Sequence, residues 1–104
     1  MDEVYFNLAF ILMDLGDKAQ ALEFYNTLVK GFPNSEFVPD TYLAIGEYWF
    51  ENNNAFKALG NYKKAATYSD SRVYIFALYK LGWCYYNVGE SAKALETKIG
   101  RAHV

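Results

Sequence analysis

Few residues in this chain can carry covalent chemistry. The single cysteine, Cys84, excludes an internal disulfide and leaves the redox compartment open. The single histidine, His103, stands in a C-terminal tail with an atypical pattern, which nearly excludes a Ser-His-Asp or Cys-His pair. One Cys and one His cannot build a metal site of the Cys/His type. The seven glycines fall at helix ends and packing positions, not in a phosphate-cradling loop. Carboxylates paired for acid–base work are not evident. Cys84 lies one helical turn from Lys80, which would lower a thiol pKa, but its place in an apolar helix favours a buried structural thiol. No cofactor, metal or catalytic residue is expected, and the chain does not read as an enzyme.

A basic excess is missing too. Ten Lys and Arg stand against twelve Asp and Glu, for a net charge of −2, which argues against nucleic acid as a partner. No apolar run reaches the roughly 20 residues that a membrane-inserting helix needs. The most apolar stretch, Phe6 to Leu15, is interrupted by Asn7 and Asp14. Asp2 and Glu3 occupy the place of a basic n-region, so no secretory signal begins at Met1, although a larger parent protein can carry one. What is abundant is aromatic: ten Tyr, eight Phe and two Trp make 19% of the chain. That is more than an ordinary surface needs, so some rings are expected to line something other than the core.

The chain is organised around residues 39–68. Tyr42, Ile45, Gly46 and Trp49 recur at i, i+3, i+4, i+7, the period of a helical packing face. A turn follows at Asn52-Asn53-Asn54, and then Ala58, Tyr62 and Ala65 mark a second helix. Ala58 and Ala65, two turns apart, let a neighbouring backbone approach, while Tyr62 fills the gap beside them. The same unit stands upstream as Tyr5, Leu8, Ala9, Leu12, then Gly16-Asp17, Ala21, Tyr25 and Leu28. Downstream it reads Leu78, Leu81, Gly82, Tyr85, then Gly89-Glu90 and Ala94. Ala9, Gly46 and Gly82 are 37 and 36 residues apart, and Ala21, Ala58 and Ala94 repeat both intervals. Two markers with one period define an internal repeat of helical-solenoid length.

These residues resemble the tetratricopeptide repeat (TPR), whose pattern is bulky-x-x-Leu-Gly-x-x-Tyr, then Ala-x-x-x-Phe, then Pro. The match covers about residues 2–95, and Asp2 to Ser35 is one unit without insertion. The resemblance implies an all-α fold, with about six helices in antiparallel hairpins stacked as a right-handed superhelix. The expected domain is residues 1–96, with units at about 2–35, 39–72 and a truncated 75–96, followed by a frayed or non-native tail at 97–104. Three hairpins are about the minimum for a stable stack.

The expected helices run from about Asp2 to Leu15, Asp17 to Lys30, Ser35 or Asp40 to the turn at Asn52-Asn53-Asn54, Ala55 to Tyr68, and Arg72 to Val88, with a short sixth from Ser91. Asp17 with Gln20 is a capping-box-like start, and Gly31 with Pro33 is a stop. Pro39 requires a place in the first turn of its helix, where a missing N–H matters least. The three extra residues in this interval predict that the third helix is extended by about one turn at its start.

In TPR proteins the first helices of successive units line a concave groove that takes a peptide or a partner helix. The resemblance places this groove on Glu3, Phe6, Asn7, Phe10 and Met13 of the first unit, and on Asp40, Leu43, Ala44, Glu47 and Phe50 of the second. In the third it places it on Phe76, Tyr79, Lys80, Trp83 and Tyr86. Chaperone-binding members hold a C-terminal carboxylate with Lys, Arg and Asn; here those positions are Phe6, Phe10, Ala44, Phe76 and Lys80, so that ligand is not expected. The aromatic set suits an apolar or aromatic segment, with Glu47 and Lys80 as polar contacts.

Two functions follow as expectations. One is a protein-interaction scaffold, a piece of a larger bacterial protein with a protein or peptide partner. The other is a structural segment that packs within its parent or self-associates, the exposed terminal helices offering a route to homo-oligomers. The phrase Phe32-Pro33-Asn34-Ser35 with Gly46-x-x-Trp49-Phe50 is similar to TPR units of bacterial cell-envelope proteins, which tilts the location slightly toward the periplasm.

Overall fold

Gly16 and Asn53 take the same left-handed backbone at equivalent places in the first two units, with φ of 95° and 61°. Each ends a helix, and an acceptor side chain starts the next one. Asp17 accepts from the Gln20 N–H at 3.3 Å, and Asn54 accepts from the Lys57 N–H at 3.1 Å. The computed structural model describes residues 1–96, with side chains up to residue 89. It contains α1 (Asp2–Leu15), α2 (Lys18–Gly31), α3 (Val38–Glu51), α4 (Ala55–Ala65) and α5 (Tyr74–Glu96), and no strand among the described residues. α1 pairs with α2 and α3 with α4, while α5 lies along α4. Thinner contacts link α2 with α3 and α3 with α5, so the chain is a helical solenoid of stacked hairpins.

The link between units is built twice from the same bonds. The Ser35 N–H donates to the Phe32 carbonyl, and the Phe37 N–H donates to the Ser35 hydroxyl at 3.0 Å. Thirty-six residues later, Ser71 donates to Tyr68, and Val73 donates to the Ser71 hydroxyl, also at 3.0 Å. α3 and α5 begin right after these turns. Pro39 lies in the first turn of α3, as its missing N–H demands. The expected one-turn extension of α3 is absent: it has 14 residues, like α1, and the additional residues are spent in the turn before it. α4 stops at Ala65, short of the expected Tyr68, because the N–H and the hydroxyl of Thr67 both take the Lys64 carbonyl.

The sixth helix differs most from expectation. α5 runs without a break through Gly89 to Glu96, so the described residues hold five helices rather than six. The capping position filled by Asp17 and Asn54 is filled here by Glu90, a helix former with little tendency to cap, and Ala92 to Glu96 all favour helix. The tail expected at 97–104 lies outside the described residues.

Two apolar clusters form the core. Ala9, Tyr25 and Ile45 join the first unit to the second. Leu43, Ala58, Tyr62, Ala65, Ala77 and Cys84 join α3, α4 and α5. Gly46 lies under the Tyr62 ring; a Cβ there would stand 2.7 Å from two ring carbons, so any side chain at this crossing would have to push the ring aside. Gly82 was expected to do the same, but nothing lies within 4 Å of its would-be Cβ. The position in register with Tyr62 is held by Lys98 rather than a ring, and it lies outside the described residues. Leu78 and Tyr85, expected to pack inside a third hairpin, are exposed and Leu81 is only half-buried, because no described helix folds back on this face of α5. Leu8 is also more open than expected, at 40% exposure.

Candidate functional site

α1, α3 and α5, the first helices of the three units, present side chains of two kinds. Phe6 is half-buried, stacked on Phe37 with centroids 5.2 Å apart and tilted against Tyr25 at 6.0 Å. Met13 also packs on the first core cluster. Asn7 and Phe10 are exposed. On α3, Leu43 is buried at 7% exposure and belongs to the core, which corrects its placement in the groove. The helix turns Leu43 toward α4 and α5, while its neighbour Ala44 stays at the surface between α1 and α3. Phe50 is half-buried against the second cluster.

α5 carries the open aromatic surface. Phe76, Tyr79, Trp83 and Tyr86 are all exposed, Tyr79 by 67% and Trp83 by 50%. Trp83 and Tyr86 stack on each other, centroids 5.7 Å apart and planes 18° apart, a pre-formed apolar plate. Lys80 reaches back over the Phe76 ring at 5.4 Å and pairs with Glu47 of α3 at 3.4 Å. This pair bridges α3 and α5 across the surface where the two units meet. A second bridge, Arg72 to Asp40 at 3.2 Å, joins the same units near the helix starts, with the guanidinium also over Phe37. Burial pushes the Asp40 carboxyl above the usual carboxylate range, against the opposing pull of Arg72.

Trp49 behaves differently from Trp83. It is half-buried, touches both core clusters and lies under the Lys57 ammonium at 4.3 Å. Cys84 is fully buried, and its thiol donates to the Ala55 carbonyl at 3.3 Å. Burial raises its pKa, so Lys80 does not activate it.

Between α1 and α3 lies an open cleft of about 180 Å³. Phe10, Met13, Ala44 and Tyr48 give it apolar walls, and Tyr25 of α2 closes its floor. Asp14, Glu47 and Glu51 stand around it. Desolvation and then Glu47 push the Tyr25 phenol up to about 12. Sequence reasoning placed Phe10, Met13, Ala44 and Glu47 on this side but missed Asp14, Tyr48 and Glu51. Their spacing carried a signal, because Asp14 and Glu51 end equivalent helices 37 residues apart. Among the described residues no group of three or more Cys, His, Asp or Glu could hold a metal ion.

Stacked helical hairpins of this kind define a helical-repeat protein. A tetratricopeptide-repeat family model matches residues 3–35 and 76–97, just over half of the chain. The chain belongs to the tetratricopeptide-repeat family. The middle unit lies between the matched segments and keeps the same hairpin, with Gly46 and Tyr62 in the places of Ala9 and Tyr25. No curated protein and no solved structure matched the chain. No described helix is long and apolar enough to cross a membrane.

Proposed function

We propose that this chain is a protein-interaction scaffold that holds an apolar or aromatic peptide or helix against α1, α3 and α5. The family generally mediates protein–protein interaction and is typically non-enzymatic. The observation that carries the reading is the row of exposed rings on first helices: Phe10 on α1, and Phe76, Tyr79, Trp83 and Tyr86 on α5. Water-exposed rings in such number on one set of helices lower the free energy when a partner covers them. The Glu47–Lys80 bridge holds α3 and α5 in register beneath them, and Phe6, Met13 and Phe50 support the same faces from partly buried positions. A pull-down from a lysate of the source cell, run with the wild-type domain beside a Phe10→Ala/Trp83→Ala double variant, tests this. A protein retained by the wild type and lost by a variant of unchanged melting temperature supports it; equal retention by both refutes it.

A second reading has its own observation. Ile75, Leu78 and Tyr85 on α5 are exposed at helix positions other than those of Phe76, Tyr79, Trp83 and Tyr86. They suit cover by another part of a larger protein or by a second copy. Light scattering over a concentration series separates the two, because a concentration-independent monomer removes self-association.

A further inference from the structure

We infer that the α1/α3 cleft takes a cationic side chain of the partner, an Arg or Lys flanked by apolar residues; this rests on the scaffold reading above and names the chemistry of its ligand. The walls formed by Phe10, Met13 and Tyr48 match an aliphatic stem. The rim matches a positive head. Asp14, Glu47 and Glu51 all border the cleft, and no Lys or Arg does. Glu47 is shared with Lys80 at 3.4 Å, whereas Asp14 and Glu51 form no ion pair among the described residues.

The backbone adds to this field. α1 ends at Leu15 and α3 at Glu51, so the negative ends of two helix dipoles lie beside the cleft. Neither helix has a basic residue in its last turn, whereas α2 and α4 carry Lys30 or Lys63 and Lys64 there. Carboxylates and helix ends of one sign, over apolar walls, repel a partner's terminal carboxylate and favour a guanidinium or ammonium. The same arrangement explains why a chain with Lys80 as its sole clamp-like residue is unsuited to a carboxylate-ended peptide.

The test selects from a random peptide display library against the whole chain, then measures the selected peptides by fluorescence anisotropy. The expected peptides carry Arg or Lys between apolar residues. Changing that residue to Gln, or changing the protein by Asp14→Asn/Glu51→Gln, should weaken binding roughly three- to tenfold. Added salt should weaken the wild type more than the double variant, which keeps only the Glu47 carboxylate at the cleft. Both substituted residues are exposed and stand at the negative ends of their helices, so melting temperatures should not fall. Selected peptides that lack a basic residue, or that ignore the carboxylate changes while still being lost by Phe10→Ala/Trp83→Ala, overturn the inference and leave the scaffold reading standing. Failure to select any peptide that binds overturns both.

Discussion

The α3–α4 hairpin and α5 begin from the same sequence pattern and end in different structures. Both carry a bulky residue, a glycine four positions later and a large aromatic three beyond it, at Tyr42, Gly46, Trp49 and at Leu78, Gly82, Tyr85. In the hairpin, Tyr62 covers Gly46, Ile45 is buried and Trp49 is half-covered. On α5, Gly82 faces open space, and Leu78 and Tyr85 face solvent. One pattern is therefore a core in one place and a bare face in the other. A repeat cannot bury its packing face alone, so what decides is the presence of a second helix folded back on the first.

The strongest way to break this contrast is to remove the covering ring. Tyr62 is 1% exposed, and Tyr62→Ala should cost about 3–5 kcal/mol of unfolding free energy. Tyr79→Ala on the open face of α5 should stay within about 0.5 kcal/mol. Urea melts of the two variants decide it, and similar losses would mean that α5 is covered after all.

The glycines sharpen the contrast further. Gly46→Leu should overpack the crossing and cost roughly 1–3 kcal/mol or more. Gly82→Ala meets no atom and should raise stability by up to about 1 kcal/mol through helix propensity. Thermal melts that moved in the same direction for both would contradict the packing described.

The smallest effect comes from the buried rings of the two complete hairpins. Tyr25 is held protonated up to about 12, and burial raises Tyr62 as well. The unfolded chain ionises both near the ordinary value of about 10. A raised acid pKa gives stability that is present below pH 10 and is lost as the pH rises through the folded value. Tyr25→Phe/Tyr62→Phe should therefore flatten the loss of melting temperature above pH 10. Melting curves taken across that alkaline range would show it, and identical slopes in the wild type and the double variant would refute it.

Much of the fold was legible because it is local and repeated. The 36- and 37-residue spacing set the hairpins, Asp17 and Asn54 marked helix starts, and Pro39 could stand only in a first turn. Boundaries failed where hydroxyls compete with the backbone. Thr67 ended α4 early, and Ser35 absorbed extra residues into a turn that had been expected to lengthen α3. The binding face was less legible. Periodicity put Leu43 and Ala44 one residue apart near the same surface, and a rotation of about 100° per residue sends the first into the core of α3, α4 and α5 and leaves the second half-buried beside the cleft.

The amino-acid sequence by itself determined the helical class, the repeat length and the caps, because each follows from residue type and spacing along one chain. Only the tertiary structure decided that Gly46 is crowded and Gly82 is free, that Lys80 reaches Glu47, and that Asp14 and Glu51 share one cleft with Phe10. Those facts depend on which helix lies beside which, and the distance between residues far apart in the chain is set by packing rather than by periodicity.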